Sequence, residues 1–160
     1  MSQGISRVHV TIGQRSWPAR LRRDLSPLSC ALLESLLSYR GEILHARWSG
    51  EALWAPLTPV WPPGRVLAPE SATARPRPGD ILLYGAERGE PELLFPYGVC
   101  RFANNAGRLA GNPVLSLEGD LSLFAQAGEA ILRGGATQLR IEPLATNPTP
   151  RGDARSNAAR

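Results

Sequence analysis

The first residues with a clear pattern, 5–12 (Ile-Ser-Arg-Val-His-Val-Thr-Ile), are rich in β-branched side chains and predict a strand. Gly13 and Gln14 turn the chain. Residues 17–23 then alternate, Ala19 and Leu21 against Arg20 and Arg22, as the second arm of a hairpin with one solvated, basic face. At Ser26-Pro27 the period changes. Leu28, Leu32 and Leu36 recur every four residues with Leu33 and Leu37 beside them, which predicts an amphipathic helix of about three turns. Ser26 is its expected N-cap, Pro27 its first residue, and Gly41 its left-handed C-terminal stop.

Alternation resumes at 42–48 and 51–57, around Ser49-Gly50, a dipeptide suited to a tight hairpin turn. If those two residues form the turn, Trp48 faces Glu51, Arg47 faces Ala52, Ala46 faces Leu53, and His45 faces Trp54. One face then carries Leu44, Ala46, Leu53 and Ala55 and suits a core. The other carries His45, Arg47 and Trp54 and suits a cleft. A slip of one residue would exchange the faces.

Residues 56–79 hold seven prolines and Trp61, which excludes a central strand. The segment is too long for a simple connection, and reads either as a functional loop over the domain or as a partly mobile insertion. Strands follow at 81–84 and 92–97, separated by a charged turn. Residues 98–113 are glycine- and asparagine-rich turns, and 114–117 form a further strand. Asp120 caps a second helix with Phe124, Ala127 and Ile131 on one face, and Gly134-Gly135 stop it. Residues 137–142 are the last alternating strand. Residues 1–145 are one expected domain, and 146–160, which lack periodicity, a disordered tail. Many short strands with two isolated helices predict a mainly β fold, a closed barrel of about eight strands capped by two α-helices.

Composition narrows the function. The chain has 160 residues, 42 % hydrophobic and 20 % charged, with a formal charge of +4 carried by arginine alone, since lysine is absent. The arginines are scattered rather than clustered, which argues against a nucleic-acid partner. No apolar run approaches a membrane span and the N-terminus lacks a signal-peptide core, so a soluble cytoplasmic protein is expected. Cys30 and Cys100 lie far apart in apolar contexts and read as buried free thiols. With His9 and His45 the only histidines, no spacing suits a metal, and no phosphate loop or dinucleotide fingerprint implies a cofactor.

Several blocks resemble a known family. Residues 19–37 resemble the opening strand and Pro-started helix of cyclophilins. The segments His45-Ala-Arg-Trp-Ser-Gly-Glu-Ala, Pro78-Gly-Asp-Ile-Leu-Leu-Tyr84, Glu92-Leu-Leu-Phe-Pro-Tyr-Gly98, Arg101-Phe-Ala103 and Gly107-Arg-Leu-Ala-Gly-Asn112 are similar to a small bacterial family of uncharacterised cyclophilin-like proteins. The resemblance runs from about residue 5 to 142 and implies a cyclophilin-like barrel. The Phe-His-Arg-type and Gln-Gly-Gly-type segments of prolyl isomerases are missing, so it does not imply that activity.

The candidate site follows from the second hairpin face. His45 is the acid–base candidate, with stacking on Trp54 as its structural alternative. Arg47 and Arg101, the latter after a bend at Tyr97-Gly98, are candidate anion clamps. Trp54, Phe95, Tyr97 and Phe102 are candidate aromatic walls, although large aromatics in a barrel more often form core. Ser49 is a turn residue rather than a nucleophile, Glu51 and Glu92 are strand-end residues facing solvent, and Asn104 and Asn112 are turn residues. The expected function is binding of a small anionic or amide-bearing molecule, with the 56–79 loop closing over it. A residual prolyl isomerase and a non-catalytic assembly module, such as a homo-oligomer, are the alternatives.

Overall fold

In a computed structural model of the chain, which describes residues 4–85 and 89–145, eight antiparallel strands close into a barrel. The expected tail at 146–160 lies outside the described residues. Strand β1 (Arg7–Ile12) pairs with β2 (Arg15–Leu21), and the predicted basic face of β2 is present: Trp17, Ala19 and Leu21 point inward while Arg20 is exposed. After helix α1 (Pro27–Ser35) come β3 (Tyr39–His45) and β4 (Gly50–Pro56), joined by a short 3-10 turn at Arg47–Ser49. Strands β5 (Asp80–Tyr84) and β6 (Glu92–Cys100) follow. A small hairpin, β7 (Ala103–Asn104) and β8 (Gly107–Arg108), then leads to β9 (Asn112–Leu117), helix α2 (Leu121–Gly134) and β10 (Thr137–Pro143). Around the barrel the order is β1-β10-β3-β4-β6-β5-β9-β2, so every strand has two partners and no edge remains open.

The interior is filled by alternate residues of each strand, among them Val8, Val10, Ile43, Leu53, Ile81, Leu93, Phe95, Leu115, Leu139 and Ile141, all fully buried. Helix α2 covers this core with Phe124 and Ile131, and α1 with Cys30 and Leu33. A second apolar cluster lies outside the barrel. Ala52, Leu82, Tyr84 and Leu94 meet Phe102 there, and Trp54 and Leu109 pack against it, so the 101–111 segment roofs the outer face of β4, β5 and β6.

Two helix ends differ from expectation. Ser26 makes no side-chain cap to α1. The carboxylate of Glu70, in the proline-rich connection, does so instead: Oε2 accepts from Leu28 N at 2.9 Å and Oε1 from Ser29 N at 2.7 Å. A side chain more than 40 residues away in sequence can satisfy orphan helix donors as well as a local one, and its negative charge suits the helix N-terminus. Gly41 does not stop α1, which ends at Ser35 with Leu36 as C-cap; Gly41 lies within β3, beneath the Tyr39 ring. At α2 the expectations hold. Asp120 accepts from Ser122 N at 2.9 Å, and Gly135, at φ +91°, terminates the helix.

The connection 57–79 is a strap rather than a lid. Leu67 N bonds Gly85 O, Thr73 exchanges both backbone hydrogen bonds with Gly111, and Phe102 N bonds Ala74 O. Asn112, expected in a turn, is a buried hub: Oδ1 accepts from Glu70 N at 2.9 Å, and Nδ2 donates to Ser29 Oγ and Ala68 O at 2.9 and 3.0 Å.

Candidate functional site

The hairpin that carries the candidate residues is paired one residue away from the simple turn. Leu44 faces Trp54 and His45 faces Leu53, where Ser49-Gly50 as a two-residue turn would set His45 against Trp54. The cause lies in the connection. Ser49 is not at a turn tip but buried, with Oγ bridging Ala103 N and Ala103 O at 3.2 Å and its carbonyl accepting from Arg101 N at 2.8 Å. Gly50 already belongs to β4, at φ +103°, where a Cβ would meet Val99 O at 2.6 Å. The slip exchanges the faces of β3, while Leu53 and Ala55 of β4 stay in the core as expected. His45 shares the inner face with Ile43 and Leu53, whereas Leu44 and Trp54 lie on the outer face, in register with Leu94 and Leu82.

His45 therefore sits at the end of the barrel closed by α2. Its Nε2 lies 2.7 Å from the Tyr97 hydroxyl, and the rings meet edge to face with centroids 5.7 Å apart. Tyr97 in turn packs edge to face on Phe124 of α2. The contact needs Gly128, because a Cβ at that position would overlap the Tyr97 ring. The other imidazole nitrogen, Nδ1, is buried and has no partner. Burial, then the nearby Arg47 charge, lowers the His45 pKa below its ordinary value of 6.5, so the ring is neutral at pH 7. Burial, with Glu51 and Glu129, raises the Tyr97 pKa. If the Tyr97 hydroxyl donates to Nε2, Nδ1 carries the ring proton and is a donor without an acceptor.

A cleft of about 470 Å³ opens here, lined by Leu44, His45, Arg47, Arg133 and the last turn of α2. Arg47 spends one N–H on Leu132 O at 3.1 Å, completing the C-terminus of α2, and keeps its other donors. The structure thus brings His45, Arg47 and Tyr97 together and adds Arg133, which alternation could not foresee because it comes from a helix. The remaining candidates lie elsewhere. Phe95 is fully buried in the barrel core, and Phe102 is fully buried in the outer cluster against Tyr84. Arg101 is exposed just past β6, whose pairing with β4 shifts register across Gly98 (Ala52 faces Pro96, Gly50 faces Cys100), and it does not line the cleft. No residue of 56–79 lines it either.

Trp54 lines a different cavity, of about 260 Å³, with Trp48, Glu90, Glu92, Asn104 and Asn105. Glu92, expected to face solvent, is 8 % exposed, and its Oε1 is buried without a partner. Burial, reinforced by the neighbouring Glu90, pushes its pKa up to about 7. The thiols of Cys30 and Cys100 are free and buried as expected, and burial raises both to about 11, away from nucleophilic use at neutral pH. Among the described residues no group of three His, Cys, Asp or Glu side chains could hold a metal ion, and no helix is long and apolar enough to cross a membrane.

These features define a closed eight-stranded antiparallel barrel with two covering helices and a polar cleft at the end beneath α2. The chain belongs to the family described as a protein of unknown function (DUF3830), whose model matches residues 9–142. Among solved structures it is similar to McbB in complex with tryptophan, at 20 % identity and a TM-score of 0.66, covering 89 % of this chain. This chain spans only 46 % of that one. It is also similar to the solution structure of the hypothetical protein AF2241 from Archaeoglobus fulgidus, at 13 % identity and a TM-score of 0.54, covering 89 % of this chain and 98 % of the other. These likenesses are of fold. No curated protein matches.

Proposed function

We propose that the protein is a small-molecule-binding barrel of cyclophilin-like type, whose ligand presents a carboxylate, or an amide carbonyl, to the cleft beneath α2. The observation that carries this reading is the unpartnered, buried Nδ1 of His45, a residue lining a cleft together with two arginines, Arg47 and Arg133. A buried polar nitrogen without a partner costs free energy, and an acceptor group on a ligand removes that cost. Arginine suits the role because its planar donors match a carboxylate. The strand order, the Pro-started first helix and the second helix over one barrel end support the cyclophilin-like assignment. McbB, a barrel neighbour, is in complex with tryptophan, which favours a small-molecule role for the fold and nothing finer.

The test is a thermal-shift screen of mono- and dicarboxylates and their primary amides on wild type, Arg47→Ala and Arg133→Ala. The expected result is a concentration-dependent rise in Tm for wild type that shrinks in both variants. A series of hits that stabilises all three proteins equally would place the ligand elsewhere.

A further inference from the structure

We propose that the cavity on the opposite, outer face of the barrel, between Trp48, Trp54 and Glu92, is a second site, and that it takes a small alkylammonium ligand carrying at least one N–H. The cavity is independent of the cleft beneath α2. Its floor is the outer row of β4, β6 and β5, in which Pro56, Glu92 and Tyr84 lie side by side and Trp54 is next along β4. The two indoles stand edge to face, centroids 5.8 Å apart and planes at 66°, and Trp48 remains 49 % exposed. An exposed tryptophan beside a half-buried one offers π-faces whose negative potential attracts cations.

The carboxylate sets the charge. The Glu92 carboxylate makes no hydrogen bond and no ion pair among the described residues, although the sequence supplies 18 arginines and no described one lines the cavity. Glu90, the other titratable group among the described residues of the lining, adds a second negative charge. Oε1 is buried without a partner and Glu92 lines the cavity, so a cation held there would supply the compensation that the described residues do not. An ammonium group there meets the carboxylate with an N–H and the indoles with its alkyl chain, in a volume of about 260 Å³. Two carboxylates and two asparagines are oxygen donors, but among the described residues no group of three His, Cys, Asp or Glu side chains could hold a metal ion, and an anion would meet the like charge of Glu90 and Glu92. Binding of a cation drives the Glu92 proton into solvent, so affinity rises as pH increases through 7. The groups facing Glu92 are Glu90 on its own strand approach, Tyr84 on β5 and Pro56 on β4, with Trp48, Trp54 and the asparagines neutral throughout this range.

The experiment is calorimetric titration of the full chain at pH 8 with n-butylammonium, with n-butanol as the uncharged isostere and tetramethylammonium as the cation without an N–H. Saturable binding of butylammonium is expected, weakened about tenfold or more in Glu92→Gln and in Trp48→Leu, with butanol and tetramethylammonium both weaker. Glu92→Gln removes a buried charge and Trp48→Leu changes a surface side chain, and circular dichroism checks that both fold. The proposal is overturned by the absence of saturable butylammonium binding. It is equally overturned by unchanged binding in Glu92→Gln, or by butanol or tetramethylammonium binding as tightly as butylammonium.

Discussion

The Tyr97 hydroxyl lies 2.7 Å from His45 Nε2, and this single hydrogen bond decides what the other imidazole nitrogen can offer a ligand. Replacing Tyr97 with Phe leaves both ring nitrogens of the half-buried His45 without a protein partner. The expected cost is about 1–3 kcal/mol in urea unfolding. Nitrogen NMR of the imidazole is expected to show one dominant neutral tautomer in wild type and a mixture in Tyr97→Phe. An unchanged tautomer balance would mean that Tyr97 does not set it.

Gly128 gives a second, sharper test. Alanine in an exposed helix interior is ordinarily worth about 1 kcal/mol over glycine. At Gly128 the added methyl overlaps the Tyr97 ring, so Gly128→Ala is expected to destabilise by about 1–2 kcal/mol through overpacking. Gly134→Ala is the control, since a Cβ there meets nothing within 4 Å. Denaturant midpoints of the two variants should move apart.

The Glu92 carboxyl makes stability depend on pH in an uncommon direction. Its pKa rises from an ordinary 4.5 to about 7 on folding, chiefly through burial and then through Glu90. The native state therefore holds the proton more firmly than the unfolded chain, and stability declines as pH climbs from about 4.5 to about 7, by at most about 3 kcal/mol, then levels off. His45 acts in the opposite sense. Its lowered folded pKa costs stability as pH falls below 6.5. Glu92→Gln should remove the first slope and leave the second, as read from unfolding free energies between pH 4 and 8.

Glu70 ties the proline-rich strap to α1, and its pKa is lowered even though burial, the largest influence, pushes it up; hydrogen bonds from Ser29 and Leu28 outweigh it. Glu70→Ala deprives Leu28 N and Ser29 N of their acceptor and is expected to cost about 1–2 kcal/mol. Amide hydrogen exchange at Leu28 and Ser29 should accelerate more than at Leu33. Equal acceleration throughout α1 would indicate global loosening instead.

Strand and helix positions were legible because each buries one face, and burial writes a period of two or 3.6 into the chain. The predicted barrel and both helices are present for that reason. The register of the β3–β4 hairpin was not, because it depends on Gly50 and on Ser49 being clamped by residues 101–103, a contact made across more than 50 positions. That one-residue difference moved His45 inside and left Trp54 outside. Glu92 departs from expectation for a related reason: Trp48 and the β7–β8 hairpin enclose a cavity with it, and enclosure by distant segments leaves no period at the enclosed residue. Arg133 joined the site from α2, where a helix's last turn gives no sign of which strand lies beneath it.

The anchoring of the strap at Glu70, Thr73 and Leu67 divides that connection into two mechanical parts. Bonds to α1, to Gly111 and to Gly85 fasten the stretch from Leu67 onward, so lengthening it would pull on the barrel wall. The tip around Gly64 is exposed, and nothing lies within 4 Å of a Cβ placed there. An epitope tag, a fluorophore or a whole guest domain spliced at Gly64 would therefore ride on the outside of the protein, clear of both cavities.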